Sequence, residues 1–287
     1  MAKTIETFVA FGADIFALER MMRLLQAVGM VFTSYSFLIA LARPSASAAH
    51  HLATRLALVA LQDWLNVTRR ALRTFWFLRA FHGSYAQYQS LASAPGVEDL
   101  LDVVAGSLLG MFGLLETVTL PDVTRLPGLA VFGAEETRRL NVQAQACWLA
   151  ALVAMVLAGG VRVLRLLAER AVPTGADFGG GGGGVGDDDA EEEGGKGGKK
   201  GAASEKKKKK RDAERKRKLD KAEAARKTRV QVRALTLKMV NDALDMVIPA
   251  NICGLSEFHP GQVGIAMAVT SLITLRGHWE RCAKTLQ

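Results

Sequence analysis

Histidines and closely spaced carboxylates are the side chains of this chain that could bind a metal ion or support acid–base catalysis. No two histidines have the i,i+4 spacing of a metal site and none has a cysteine directly beside it, so the sequence predicts no metal ligand. Asp242 and Asp245 lie three residues apart and could exchange protons, but a structural pair on a polar helix face is the favoured interpretation. The histidines are His50, His51, His82, His259 and His278.

Six consecutive glycines, Gly179 to Gly184, could suggest a phosphate-binding loop. No Gly-Lys-Ser/Thr follows them and no strand is predicted before them, which argues against a nucleotide site. The sequence also lacks a nucleophile elbow and a dinucleotide-binding fingerprint. We therefore expect a protein that is not an enzyme and that binds no cofactor.

The formal net charge of +9 comes mainly from one segment, Lys196 to Arg233, with 18 Lys or Arg against 5 Asp or Glu. So dense a cluster could attract nucleic acid or an anionic lipid surface. No aromatic residues interleave with the lysines for base stacking, and no nucleic-acid-binding motif is present. The favoured interpretation is a solvated basic helix, and we expect no nucleic-acid partner.

The longest apolar stretches predict membrane segments. Residues 141–161 contain no charged residue and form the strongest transmembrane candidate. Residues 261–275 are also uncharged, but at about 1.5 Å per residue they span only about 22 Å of a hydrocarbon core that is about 30 Å thick. Asp102 and Glu116 interrupt a third run, 100–120, which has the length of a core or interfacial helix.

A helix predicted over about residues 52–81 is amphipathic in its middle. Cations opposite Trp, Leu and Phe are typical of a helix that lies in the membrane interface, and an anionic phospholipid surface is the expected partner. A helix packed in a soluble core remains the alternative. The apolar side carries Leu61, Trp64, Leu65, Leu72 and Phe75, and the basic side carries Arg69, Arg70 and Arg73.

These elements predict an all-α membrane protein with three regions. Residues 1–172 form a helical region with amphipathic helices and the first membrane span. Residues 173–203, rich in Gly, Asp, Glu and Lys, have nothing apolar to bury and are predicted to be a disordered linker. Residues 204–287 begin with a basic helix and lead into the C-terminal membrane segment.

Three blocks of the sequence resemble the peroxisomal biogenesis factor 11 family, which includes glycosomal relatives. "LERMMRLLQ" is similar to the N-terminal motif of the family, and "TRRALRTFWFL" is similar to its basic amphipathic helix. "VNDALDMVIPANICGL" and "GQVGIAMAVTSLITLRGHW" are similar to its C-terminal signature. The motif positions outside the amphipathic helix are Glu19, Arg20, Arg23, Gln26, Asp242, Asp245, Pro249, Gly264 and Trp279.

The resemblance implies a multi-pass protein of the peroxisomal membrane, or of the glycosomal membrane in trypanosomatids. It implies that the protein remodels and elongates the organelle before fission, without catalytic residues. It also implies a homo-oligomer that acts with fission machinery, namely an adaptor and a dynamin-related GTPase. A pore or metabolite channel in the organelle membrane is the alternative function.

Overall fold

The computed structural model describes residues 2–91, 95–124, 126, 128–171 and 199–285. Helices are the only regular elements in these ranges, which confirms the all-α prediction. The helices are α1 (Ala2–Ala13), α2 (Ile15–Ser34), α3 (Phe37–Ala42), α4 (Ala48–Leu72), α5 (Trp76–Gln89), α6 (Val97–Val118), α7 (Leu120–Val123), α8 (Gly133–Ala171), α9 (Lys199–Asp245), α10 (Val247–Ile252) and α11 (Pro260–Thr285).

Side-chain caps fix the starts of the two helices that carry most of the sequence motifs. The Asp14 carboxylate accepts a hydrogen bond from the Phe16 N–H at 2.9 Å, so α2 begins directly after Asp14. The Ser47 hydroxyl accepts from the His50 N–H at 3.3 Å and begins α4. Each cap satisfies a backbone donor that a helix N-terminus otherwise leaves without a partner.

The prediction of one continuous helix over residues 52–81 is wrong, because α4 ends at Leu72 and α5 begins at Trp76. Thr74 lies in the break, and its hydroxyl donates to the Ala71 carbonyl at 2.7 Å. The Thr74 carbonyl accepts from the Thr117 hydroxyl of α6 at 2.6 Å. Such side-chain hydrogen bonds compete with those of a helix, so the chain turns here and α5 packs back against α6.

Small residues bring α2 and α11 close together in the core. Ala17 and Ala27 of α2 are fully buried, and Gly264 of α11 is also buried. A Cβ atom placed on Gly264 would lie only 3.1 Å from the Ala27 carbonyl oxygen. The other side of α2 packs against α4, so α2 is the central helix of this bundle.

Two of the described helices are long and apolar enough to cross a membrane, over Val97–Val118 and Gly133–Ala168. The second contains the predicted span 141–161. The helix over Val97–Val118 overturns the prediction that the run 100–120 is too short to cross a membrane. This helix begins earlier than the run, at Val97, and its Glu116 pairs with arginines. The predicted segment 261–275 is not among these two helices, and its assignment to the membrane stays a prediction; α11 buries one face against α2.

The chain divides into two compact units, residues 1–161 with 238–287, and residues 162–237. Within the second unit α9 begins at Lys199 rather than at the predicted Ser204. Its described side chains are mostly exposed, as expected of a solvated basic helix, and Lys227 pairs with Glu223 one turn away at 3.1 Å. The rest of the predicted linker, 173–198, lies outside the described residues.

Candidate functional site

A group of buried charged side chains lies between α2, α4, α6 and the end of α9, and we call it the charge cluster. Hydrogen bonds and ion pairs connect its members, which come from positions far apart in the sequence. It contains five arginines and three carboxylates among the described residues. Its members are Glu19, Arg20, Arg23, Arg69, Arg70, Arg73, Glu116 and Asp245.

Glu19 lies at the centre of the charge cluster, with 1% of its surface exposed. Arg69 donates to Glu19 Oε1 through Nε at 2.9 Å, and Nη2 of the same guanidinium lies 2.8 Å from that oxygen. Arg73 Nη1 lies 3.8 Å from Glu19 Oε1, and Arg20 Nε lies 3.4 Å from Oε2. One carboxylate therefore faces three cations, two of them from the region of the predicted amphipathic helix.

The arginines keep Glu19 ionised despite its burial. Burial raises the pKa of Glu19, but the nearby charges of Arg69, Arg73 and Arg20 outweigh this effect and lower the pKa to about 2. Burial also lowers the pKa of Arg69 to about 9, because Glu19 offsets only part of the cost of removing a guanidinium from water. Both side chains are charged at neutral pH, and Arg69 remains incompletely compensated.

Arg23 and Asp245 form a second pair in the charge cluster, between residues 222 positions apart. Arg23 Nη2 donates to Asp245 Oδ1 at 2.5 Å, and Nη1 donates to Oδ2 at 3.3 Å. Two parallel hydrogen bonds between a guanidinium and a carboxylate are the strongest common form of this contact. The pair connects the N-terminal motif to the C-terminal one, and both of its side chains are buried.

Glu116 and Asn141 belong to this site although the sequence analysis assigned no role to either. Arg73 Nη2 lies 3.0 Å from Glu116 Oε2, and Arg70 Nε lies 3.7 Å from Glu116 Oε1. Arg70 Nη1 donates to Asn141 Oδ1 at 2.8 Å. The sequence did contain a signal for Glu116, namely a carboxylate within an apolar run. A charge buried in such a run requires a partner of opposite charge.

The structure places the basic side of the predicted amphipathic helix inside the protein. Arg69 is buried, and Arg70 and Arg73 are largely buried against Glu19 and Glu116. In this conformation the three guanidinium groups therefore face carboxylates rather than a lipid surface. Gln26 of the N-terminal motif joins them, because its Oε1 accepts from Arg69 Nη1 at 2.6 Å.

The remaining motif residues lie outside the charge cluster. Asp242 is buried next to Asp245, and burial raises the pKa of its carboxyl group. Pro249 is buried within α10, and Gly264 lies against α2. The Trp279 ring makes an edge contact with Phe11 of α1, with 5.5 Å between ring centroids. Gly264 and Trp279 thus contribute to packing between the N- and C-terminal helices.

A surface groove between α2 and α4, which we call the apolar groove, has a volume of about 610 Å³. Leu25, Leu61 and Trp64 line it while remaining 59%, 45% and 62% exposed. Leu65 forms part of its floor and is buried. Arg43 is the one charged residue among the described residues that line it. Apolar side chains of this size at a surface usually indicate a partner or a membrane.

Two cavities adjoin the charge cluster and share its residues Arg23, Arg69, Arg73 and Glu116. The smaller has a volume of about 380 Å³. The larger, which we call the arginine cavity, has a volume of about 560 Å³ and aromatic walls that include Trp76 and Trp148. Its lining arginines are Arg20, Arg23, Arg69, Arg73 and Arg79.

The described residues contain no group of three or more His, Cys, Asp or Glu side chains that could hold a metal ion. The arrangement is instead that of an ion-paired core beside an exposed apolar surface. Such a core can fix the relative positions of helices, and such a surface can contact lipid.

Comparison with known protein families gives a match that covers nearly the whole chain. The sequence model of peroxisomal biogenesis factor 11 matches residues 5–279. No curated protein and no solved structure is significantly similar to the chain. The match includes both the N-terminal and the C-terminal members of the charge cluster. The chain therefore belongs to the peroxisomal biogenesis factor 11 family.

Proposed function

We propose that this protein remodels the peroxisomal membrane and elongates the organelle before fission, by inserting the apolar groove of α2 and α4 into one leaflet. Its family consists of peroxisome biogenesis factors and is not a known family of enzymes. The observation that carries the proposal is the exposure of Leu25, Leu61 and Trp64 on neighbouring helices. Two further helices that could cross a membrane would hold this surface at the bilayer.

Insertion of apolar side chains into one leaflet widens that leaflet relative to the other and so favours curvature. An interfacial helix places its apolar face about 5–10 Å deep, at the boundary between headgroups and acyl chains. In the apolar groove, Leu61 and Trp64 are exposed and would insert to this depth. Phe75, in the break after α4, is also exposed and would add to this surface, whereas Leu65 and the half-buried Leu72 would support it from within.

The arginines of the charge cluster have a different role in this proposal from the one expected for an isolated helix. Arg69, Arg70 and Arg73 would position α4 against α2 and α6 and thereby hold the apolar groove in shape. Their direct contact with anionic lipid would require α4 to leave Glu19 and Glu116. Membrane contact in the folded protein is therefore assigned to the exposed apolar residues.

A pore is the other function that the sequence left open. Permeation needs a polar path through the protein, and the buried carboxylates Glu19, Glu116 and Asp245 of this bundle lie in ion pairs between helices. Remodelling needs only the exposed apolar surface. We also propose a multi-pass arrangement, self-association, and action with an adaptor and a dynamin-related GTPase, with a glycosomal location in trypanosomatids.

The decisive experiment replaces Leu61 and Trp64 together by glutamate in the full-length protein. Both side chains are exposed, so the fold should persist, while two charges in the apolar groove should prevent insertion. We expect the variant to reach peroxisomes but to fail to elongate them when its level is raised. Organelle length and number, measured by fluorescence microscopy against an empty vector, provide the readout.

Arg55→Glu is the matched control, because it lies exposed on α4 outside the apolar groove and changes the net charge by the same two units. It should elongate peroxisomes as the unaltered protein does. If the Leu61→Glu/Trp64→Glu variant also elongated them normally, the apolar groove would not be the membrane-inserting surface. If the unaltered protein changed neither organelle length nor number, remodelling itself would be refuted.

A further inference from the structure

We propose that the arginine cavity binds a phosphate-bearing anion. Arg20, Arg73 and Arg79 would hold the phosphate oxygens, and the aromatic walls would contact the rest of the ligand. The inference extends beyond membrane insertion, because the arginine cavity and the apolar groove share no lining residue. Both lie along α2 and α4, but on different side chains of these helices.

The first argument is an imbalance of charge around the cavity. Glu116 is the only carboxylate among the described residues that line it. The other two carboxylates of the charge cluster do not line the cavity but pair with arginines that do, Glu19 mainly with Arg69 and Asp245 with Arg23. Counting Arg70, five buried or half-buried arginines and the exposed Arg79 therefore lie in or beside a cavity that three carboxylates serve. A buried excess of cations is costly unless an anion offsets it.

The second argument is that several arginine N–H donors at the cavity have no acceptor among the described residues. Arg73 Nε is buried and has no hydrogen-bond partner among the described residues. Arg79 has no ion-pair partner in the described part of the chain, and its guanidinium lies over the Phe16 ring at 5.2 Å from the centroid. Arg20 has its nearest carboxylate oxygen at 3.4 Å, which leaves its two terminal nitrogens available. These donors lie at one cavity.

The third argument concerns the chemistry of the ligand. A guanidinium presents several N–H donors in one plane and matches the oxygens of a phosphate group. A volume of about 560 Å³ lies within the usual range of ligand pockets, and Trp76, Phe77 and Trp148 give it apolar walls. Burial lowers the pKa of Arg69 and of Arg70, which is consistent with cations that still lack full compensation.

Two sources could supply this chemistry, a phospholipid headgroup and a free phosphate compound. The test titrates the full-length protein in neutral maltoside detergent with sodium pyrophosphate or with dioctanoyl phosphatidic acid, and follows heat and tryptophan fluorescence. Dioctanoylglycerol, which has no phosphate, is the negative ligand control. Binding of pyrophosphate would identify a site for free phosphates, and binding of phosphatidic acid alone would identify a headgroup site.

Arg79→Gln is the main test of whether the cavity is the site, because Arg79 forms no ion pair with the charge cluster among the described residues. Arg20→Gln is the second test, and it also removes the ion pair of 3.4 Å between Arg20 Nε and Glu19 Oε2. Each should raise the Kd at least tenfold, and Arg79→Lys should recover much of the affinity. Arg276→Gln removes the same charge from an exposed position outside the cavity and should bind normally. This control matters because the basic helix α9 also attracts anions.

The proposal is overturned if neither phosphate ligand binds, or if Arg20→Gln and Arg79→Gln bind as the unaltered protein does. Thermal unfolding followed by circular dichroism establishes that both variants are folded before titration. No membrane curvature enters the measurement, so a negative result would leave the proposed remodelling function in place.

Discussion

At the scale of single residues, Glu19 is the side chain whose ion pairs contribute most to holding α4 against α2. It is a buried carboxylate whose negative charge is retained only because Arg69, Arg73 and Arg20 surround it. In turn it provides the charge that makes burial of Arg69 tolerable. Removal of one member of such a group is costly, because the others remain buried without compensation.

We therefore expect Glu19→Gln to destabilise the protein by about 3–5 kcal/mol, the usual cost of leaving a buried ion without its partner. The measurement is the free energy of unfolding of the purified protein in neutral detergent. Glu280→Gln is the control, because its pair with Arg276 is exposed and should contribute less than about 1 kcal/mol. Equal stabilities of the two variants would mean that the charge cluster does not stabilise the fold.

The same residue predicts an acid sensitivity. The pKa of Glu19 is lowered in the folded state, from 4.5 to about 2, so its contribution is fully present above pH 4.5 and is lost as the pH falls towards 2. A shift of this size corresponds to about 3 kcal/mol. The difference in unfolding free energy between the unaltered protein and Glu19→Gln should therefore shrink over this interval. A difference independent of pH would contradict the assignment.

At the scale of helices, the approach of α2 to α11 depends on the absence of a side chain at Gly264. The Ala27 carbonyl oxygen that faces this position belongs to the backbone and cannot rotate away. An apolar sequence such as that of α11 can thus serve as a packing element. Its small residues let it bury one face against α2, and this packing is compatible with the membrane segment that its uncharged sequence predicts.

Gly264→Ala should destabilise the protein by about 1–3 kcal/mol, because the added methyl group forces the two helices apart. Gly277→Ala is the matched control in the same helix, where an added Cβ would meet nothing within 4 Å. Since alanine favours helix formation over glycine, this control should stabilise by up to about 1 kcal/mol. Thermal unfolding of both variants measures the difference, and effects of the same sign and size would refute the close-packing argument.

Helical periodicity predicted the helical nature of α2, α4 and α8 because it reflects which side chains share a face. It predicted poorly what those faces meet. The side of α4 with Arg69 resembled a water- or lipid-exposed face, since a cation usually seeks solvent. Its burial depends on Glu19 and Glu116, which lie on other helices, and one helix alone cannot reveal such partners. The break at Thr74 was missed for the same reason, because Thr117 helps to create it.

At the scale of the whole molecule, the charge cluster draws on two distant regions of the sequence. Residues up to Val161 contribute all of its members except Asp245, which lies in the region after Lys238. The intervening sequence supplies none of the described members. The resemblance of separate sequence blocks to one family could therefore be recognised from sequence, whereas the contact between Arg23 and Asp245 could not.

Deletion of Gly175 to Ala203, which joins Thr174 to Ser204, should leave the protein in the peroxisomal membrane, because no described member of the charge cluster lies in this stretch. Resistance to alkaline extraction and co-localisation with a peroxisomal marker are the measurements. Val153→Arg with Leu157→Arg tests the sensitivity of the assay, since two charges at exposed positions of α8 should each cost roughly 2.5–3.5 kcal/mol in the bilayer. Release of the deleted protein into the soluble fraction would show that the stretch is required.

The long separation between Arg23 and Asp245 also has a consequence for the order of events during synthesis. A ribosome adds about 5–20 residues per second, so the 222 positions between them correspond to roughly 10–40 s of translation. Throughout that interval the nascent chain carries the Arg23 guanidinium without its carboxylate. Because α2 cannot form this contact earlier, the bundle is completed only after α9 has been translated. The finished bundle can therefore enter the membrane only late. A residue translated late thus decides when the central helix becomes fixed.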